Sequence, residues 1–547
     1  MIGVIADSTE ENDVREFFEL FKVPWEFYQC DRPYEVVLCT GEVKLDSVDA
    51  EVLVVYSGKK VPLDTKLKGH VRPQRVGLTS LIRNQPPIYG NNVTFRHTGM
   101  RVLAEEEAEE SIAYIDRLGS RVFVRVGYDL FREIHILLTS GQPASSASVP
   151  TLELHIALLR DLIVACGIPV VEIPPVPDGY QFVACLTHDV DHPSICRHKW
   201  DHTAFGFLYR AIVGSPINVL RGRASLGDLV ANWGAALKLP LVHLGLLSDF
   251  WCEFDRYIEM EGGTPSTFFI LPFKGYAGRT SHGPAPRARS SRYEVFDIAE
   301  KIKALMSSGC EIGLHGIDGW LDSSRGRVEL ERIRQVTGSS DIGVRTHWLY
   351  CDDESPEHHE RAGADYDSTI GYNQTVGYRA GTSQVYKPLG TTHLLELPLH
   401  VMDTALFYPR RLGLSPKEAK ELVGKIVSNA AEFGGCVTID WHDRSIAPER
   451  LWGDFYRQLI DELRDKGAWL SSASQAVSWF RKRRSAVFER VHREPGALRL
   501  KVTVPIEDAL PGLRLRIHKP AGAFDFATVS RRFDVVLKGD IDTSIAL

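Results

Sequence analysis

The chain has 547 residues, of which 44% are apolar and 25% charged, and a formal net charge of −7. That length exceeds one ordinary core and predicts two to four domains of a globular protein. Acidic and basic residues are mixed along the chain, which argues against a nucleic-acid binder with a basic face.

Met1-Ile2-Gly3-Val4-Ile5-Ala6-Asp7 enters a strand pattern directly, without a basic segment followed by a long apolar one, so no signal peptide is expected. No apolar run reaches the length of a bilayer span, and the chain reads as cytoplasmic. Asp7-Ser8-Thr9 suits the cap of a first helix better than a binding site. Gly3–Ala6, Val14–Phe21, Tyr34–Cys39 and Val52–Tyr56 alternate strand and helix signals, the rhythm of a small α/β domain with a parallel sheet. Gly41 and Gly58 end strand-like runs but form no GxGxxG, so no nucleotide is assigned. Arg121–Gly127 reads as a further strand, 140–146 as a loop and Leu152–Cys166 as a helix. The Pro-rich stretch 173–179 then breaks regular structure and bounds an N-terminal domain of residues 1–178.

From 179 to 486 strands alternate with helices. Phe182–Leu186, Thr267–Leu271, Glu311–Leu314, Ile342–Val344, Leu394–Leu397 and Cys436–Ile439 are the strand-like runs. Such repetition over about 300 residues suits an α/β fold built as a (β/α) barrel of parallel strands, complete or partial. Thr203–Phe250, rich in Leu, Ala and Gly, reads as helices packed over one barrel face; a substrate lid or a membrane-surface contact is the alternative. The basic run Arg481-Lys482-Arg483-Arg484 after Val477–Phe480 reads as a helix C-terminus. Residues 487–547 alternate apolar and polar positions at Leu498–Val504, Leu513–Ile517 and Arg532–Leu537, predicting a small antiparallel β domain or a sheet extension. The nine cysteines form no CxxC pair; Cys39, Cys185 and Cys436 sit in apolar runs and are expected as buried thiols.

The most informative stretch is Leu186-Thr187-His188-Asp189-Val190-Asp191-His192. A buried strand that delivers Asp-x-Asp at its tip carries a cost of several kcal/mol, roughly, unless the carboxylates are paired. A divalent cation would offset it, with His among the commonest co-ligands. The plain alternative is a strand end whose polar residues face solvent. His315, then Arg345 and His347, then Trp441 and His442 also follow strand-like runs. Strand ends of a parallel barrel converge on one face, where active sites are built.

These residues carry a resemblance to the polysaccharide deacetylases of carbohydrate esterase family 4, metal-dependent deacetylases on a distorted (β/α) barrel. It covers about residues 180–480, more than half of the chain. Leu186–Asp191 resembles the first family motif in its Asp-Val-Asp form, which implies Asp189 as catalytic base and Asp191 as metal ligand. Glu311-Ile312-Gly313-Leu314-His315-Gly316 is similar to the second, implying His315 as ligand. Arg345 resembles the arginine that orients the base, and Thr438-Ile439-Asp440-Trp441-His442 looks like the last motif, implying His442 as general acid. Residues 343–348, 366–369 and 377–382 further resemble a bacterial subgroup with an N-terminal α/β domain. Two positions depart from the pattern: Gly319 stands where a second His is usual, and His347 where Pro is usual. His347 is the economical replacement ligand, Asp318 competes with it, and a site without metal is the third reading.

Two imidazoles and one carboxylate suit catalytic zinc with a position left for water. The function implied is a metal-dependent amidohydrolase that removes an N-acetyl group from an amino sugar or glycan precursor. The alternatives are a hydrolase of another C–N bond, such as a formamide or cyclic amide, and a non-catalytic glycan-binding barrel. The expected partner is thus a saccharide or small-molecule amide, with no nucleic acid and no transmembrane segment. Trp348, Trp441 and Tyr378 are candidates to stack on a sugar, although core packing suits each singly. His188 and His192 flank the carboxylates, and His358-His359 reads as an exposed pair in an acidic loop. No GxSxG, P-loop or HExxH occurs.

Overall fold

The computed structural model describes residues 1–40, 48–67, 69–74, 86–97, 99–102, 110–199, 201–221, 225–251, 253–448, 450–505, 509–520, 522 and 531–546. Gly41 and Cys252 therefore lie outside the described residues. The chain divides into two compact units: residues 1–179, 380–389 and 478–547 form one, and residues 180–379 and 390–477 form the other.

The first unit is built on a seven-stranded sheet. Trp25–Phe27, Ile2–Ile5, Tyr34–Cys39, Ala50–Tyr56 and Arg121–Val126 are neighbours in parallel, and Ala113–Leu118 and Met100–Val102 extend the sheet antiparallel. Asp7 accepts from the Thr9 amide at 2.9 Å and so caps the chain's entry into the helix Glu11–Phe21. The C-terminal strands group with this unit. The reason is backbone pairing: Leu513–Lys519 lies between Val170–Glu172 and Arg531–Leu537, antiparallel to both. At that junction Glu172 accepts from His518 at 2.9 Å, away from water. The basic run closes the helix Ala473–Ser485, with Lys482, Arg483 and Arg484 in its last turn. Cys39, Cys185 and Cys436 are buried free thiols.

In the second unit we number the strands β1 (Phe182–Val190), β2 (Thr267–Ile270), β3 (Glu311–Gly316), β4 (Val344–Thr346), β5 (Leu399–Met402), β6 (Cys436–Asp440) and β7 (Ala468–Ser471). They pair in the order β4-β3-β2-β1-β6-β5, all parallel, and β7 also pairs with β1. Two isolated parallel bridges, Val344 to Asp367 and Asp367 to Glu396, carry the pairing from β4 to within three residues of β5, so the sheet curls back on itself. Every residue of β1 is buried, as expected of a parallel strand covered on both faces. The covering helices include Ser323–Thr337, which buries Leu330 and Ile333, and Pro416–Phe433, which buries Val423, Ile426 and Val427. The latter begins with Ser415 and Glu418 in a capping box and Pro at its first turn, then stops at Gly434.

Two local expectations are corrected. Leu394–Leu397 is not a strand; only Glu396 bridges, and the regular pairing begins at Leu399. His358-His359 lies in the helix Ser355–Ala362, started by Pro356, and His359 is buried against Thr346 and Asp367 rather than exposed. The acidic residues before it are the helix lead-in that the dipole favours.

Candidate active site

The period of two along β1 puts Thr187 and Asp189 on one side of the strand, and Asp191 directly follows its last residue. That side faces a cleft of about 300 Å³, which also receives His315, His347 and His442. His315 and Arg345 fall within β3 and β4 rather than after them, and His442 follows β6 by two residues. The six residues singled out from the sequence thus meet at one end of the curled sheet.

Asp191, His315 and His347 converge. Asp191 Oδ1 lies 3.5 Å from His315 Nε2 and 3.8 Å from His347 Nδ1. Both Asp191 Oδ1 and His347 Nδ1 are buried atoms with no hydrogen-bond partner. Buried polar atoms are rarely left so, and here two of them point at each other across a gap. The other nitrogen of His315 faces the Arg345 carbonyl oxygen at 3.0 Å. Donation there leaves Nε2 as the free lone pair, the tautomer a metal ligand needs. A four-coordinate zinc with bonds of about 2.0–2.2 Å keeps its ligand atoms about 3.3–3.6 Å apart, and the two distances from Asp191 come within a few tenths of an ångström of that spacing. Burial would push the Asp191 carboxyl up, but His347, His315 and His442 around it hold it well below the usual carboxylate range. Burial drives His347 well below the usual imidazole range against the pull of Asp191, with His315, Arg289 and His442 adding to the effect.

Asp318, the competing candidate, is not brought to this point. Its carboxylate accepts from the Arg279 amide at 2.8 Å and from Arg325 Nη1 at 2.6 Å, and from the Tyr276 hydroxyl. The absent His at position 319 has a steric reason. A Cβ on Gly319 would stand 2.9 Å from the Cα of Gly326, where the helix Ser323–Thr337 begins. His347 instead enters from the end of β4 on a backbone that bends sharply. Trp348 and Leu349 follow it with φ of 63° and 53°, a region costly for side chains of that size. Arg289 Nη2 donates to the His347 carbonyl at 2.8 Å and Asn373 to the Trp348 carbonyl at 2.8 Å, which fixes the bend.

A second triad, Asp189, Asp440 and His442, also converges. It already has a cation. Arg345 Nη1 lies 3.0 Å from Asp189 Oδ1 and 3.7 Å from Asp440 Oδ1, fully buried, with its Nε on the Ser368 carbonyl and Nη2 on the Ser368 hydroxyl. The Asp189 amide in turn donates to Asp440 Oδ1 at 2.9 Å. Burial and Asp189 raise the Asp440 carboxyl to about 7.

His442 stands on the far side of Asp191, its Nε2 3.8 Å from Asp191 Oδ2. Asp403, at the start of the short helix after β5, takes both the His442 ring Nδ1–H at 2.7 Å and the His442 amide at 2.8 Å. Burial works against the protonated imidazole, yet Asp403 and Asp440 raise His442 well above its usual range. Asp403 went unrecognised in the sequence because β5 lies a few residues later than the apolar run suggests. Its signal was nonetheless available: a carboxylate directly after Leu399–Met402. Arg289 and Ser368 gave no such signal. His188 is buried between Glu261 Oε1, at 2.8 Å, and the Trp441 carbonyl, at 2.8 Å, behind the site. His192 pairs with His198 at 3.2 Å. Of the three aromatic candidates, Trp441 and Tyr378 are core residues, and Trp348 alone is exposed, at 37%, on the cleft.

No protein-family model matches the chain, and no curated protein matches it. Among solved structures it is similar to one described as a "putative polysaccharide deacetylase from Mycobacterium smegmatis". The match covers 59% of this chain and 98% of that one, at 20% sequence identity and a TM-score of 0.35.

Proposed function

We propose that the chain is a metal-dependent hydrolase that removes an N-acetyl group from an amino sugar. The observation that carries this reading is the pair of buried, unpartnered ligand atoms on Asp191 and His347, flanked by an arginine-held carboxylate on one side and a carboxylate-held imidazole on the other. Asp191, His315 and His347 would hold the ion, and a divalent cation of the zinc type would acidify water and polarise an acyl carbonyl there. Asp189 accepts the proton of the attacking water, and Arg345 fixes the carboxylate in place. His442, charged and oriented by Asp403, donates a proton to the nitrogen as it leaves, without which an amine is a very poor leaving group. The apolar ring of Trp348 offers a wall for a sugar face.

The test is metal analysis of the purified chain together with acetate release from N-acetylated amino sugars. Asp189→Asn is expected to retain metal and bound substrate while turnover collapses. Undiminished turnover in that variant would falsify the base assignment. Formate release from N-formyl sugars without acetate release would assign the formamide reaction instead.

A further inference from the structure

Of 23 large apolar side chains exposed among the described residues, 14 lie between Phe205 and Leu247. A cluster of that size in so short a segment exceeds the scatter of single apolar residues on an ordinary surface. The segment folds as His202–Tyr209, a π turn at Arg210–Gly214, Ser215–Leu220 and the 18-residue helix Leu226–His243. Its inner face is already used, with Phe207, Ala235, Leu239 and Val242 packed against Ile195 and Trp251. The outer face is a second apolar stripe: Leu226, Val230, Trp233, Leu237, Leu241 and Leu244 follow helical spacing, and Leu237 is 80% exposed. Leu220, at the end of the preceding helix, is 87% exposed.

Charge on this segment is one-sided. Between residues 203 and 248 the sequence has four cations, Arg210, Arg221, Arg223 and Lys238, and a single carboxylate, Asp228. Asp228 is occupied in the capping box with Ser225. No helix among the described residues is long and apolar enough to cross a membrane. A non-spanning helix with an apolar face, exposed Trp, and cations beside it is the pattern of a segment that lies in a membrane surface.

The same segment reaches the cleft, which Thr203 and Arg210 line together with Arg411, Arg444 and Arg450. Arg411 donates to the Thr404 hydroxyl at 2.7 Å, and Arg450 donates to the Ser445 and Tyr408 hydroxyls. Among the described residues no carboxylate lies within ion-pair distance of Arg411 or Arg444, and Arg444 Nη1 is a buried nitrogen without a hydrogen-bond partner. Burial pushes the Tyr408 hydroxyl up, yet Arg450 and Arg444 draw it below its usual range. Arg411 and Arg444, cations with no carboxylate at ion-pair distance among the described residues, suit an incoming anionic group.

Building on the hydrolase reading above, we propose that residues 203–221 and 225–247 dock on an anionic membrane surface and that the acylated sugar enters the cleft on a lipid carrier, its phosphate-type linkage seated on Arg411, Arg444 and Arg450. The continuity of apolar face and cationic cleft favours one amphiphile over a second copy of the chain, which would use the face and leave the cleft arginines unexplained.

The experiment is co-sedimentation of the full chain with vesicles of phosphatidylcholine alone and of phosphatidylcholine and phosphatidylglycerol in equal parts. Binding is expected on the mixed vesicles, with a partition coefficient that falls about ten-fold or more in Leu220→Glu and in Leu237→Glu. Calorimetry on the Asp189→Asn variant then compares N-acetylglucosamine 1-phosphate with N-acetylglucosamine. The phosphorylated sugar should bind about ten-fold or more tightly, and Arg444→Gln should remove that difference. Absence of vesicle binding overturns the docking surface, as does a wild-type dimer in light scattering that Leu237→Glu converts to monomer. Equal affinity for the two sugars overturns the anionic linkage. Vesicle binding needs no turnover, so acetate release from a soluble sugar reports on the hydrolase reading separately.

Discussion

Asp403 gives the sharpest test of how the cleft delivers a proton. Its two oxygens accept from two N–H groups of the same residue, the His442 ring at 2.7 Å and the His442 amide at 2.8 Å, and it is fully buried. Asp403→Asn keeps the shape but supplies one acceptor where two are needed. If the amide oxygen stays on the backbone N–H, the new NH₂ faces the ring, and the imidazole must present a lone pair at Nδ1 to accept from it. The proton then sits on Nε2 of a neutral ring, which is a much weaker acid than the imidazolium. If the oxygen stays on the ring, a donor faces the backbone amide instead. The second arrangement costs about 1–3 kcal/mol of stability, the usual penalty for a buried donor without an acceptor, whereas the first keeps both hydrogen bonds and loses only the charged pair. Loss of a positioned general acid costs about 10²–10⁴-fold in turnover. We therefore expect urea unfolding to show the modest loss, metal content to be unchanged, and N-acetyl hydrolysis to fall at least a hundred-fold or so. An activated acetyl ester, whose leaving group needs little protonation, should lose far less. Wild-type amide turnover in Asp403→Asn would refute the role given to His442. Equal losses on amide and ester would place Asp403 in the folding of the site rather than in proton delivery.

Further outcomes follow from the same geometry. His347→Ala should lower metal content steeply while Asp318→Asn leaves it near wild type, measured by elemental analysis after dialysis; the reverse pattern would exchange the two residues. Gly319→Ala should destabilise by about 1–3 kcal/mol in urea, because its Cβ meets the Gly326 Cα at 2.9 Å and must push a helix aside. The pair Glu172–His518 sets an acid limit on the first unit. Burial raises the Glu172 carboxyl, but His518, Arg160 and Arg516 hold it down to about 2 from an ordinary 4.5. A folded pKa below the unfolded one contributes stability above the unfolded value and loses it as pH falls from 4.5 towards 2. Glu172→Gln should remove up to about 3 kcal/mol of that acid-side slope, and an unchanged pH profile of unfolding would show that the pair contributes nothing.

Local sequence determined much of this protein. Phe182–Leu186 is a run of buried apolar residues and had to be an interior strand, and Asp189 near its end and Asp191 just past it, spaced by two, reach the same cleft. Ser415-Pro416 with Glu418, and Gly434 after Phe433, fixed both ends of a helix by chemistry confined to a few residues. Signals of this kind are legible because the interactions that decide them span one turn or one strand.

Tertiary structure decided the rest. That His347 and not Asp318 faces Asp191 depends on Arg325, Arg279 and Tyr276 claiming the Asp318 carboxylate, three residues from 7 to 42 positions away in sequence. That position 319 must be glycine depends on a helix that begins at Ser323 and presses Gly326 against it. Arg289 reaches the His347 carbonyl across 58 positions, and Asp403 reaches His442 across 39. None of these partners leaves a periodic mark in the sequence. A strand or helix is specified by its own residues, whereas the protonation and aim of a site residue are set by groups that only the closed sheet brings within hydrogen-bond distance.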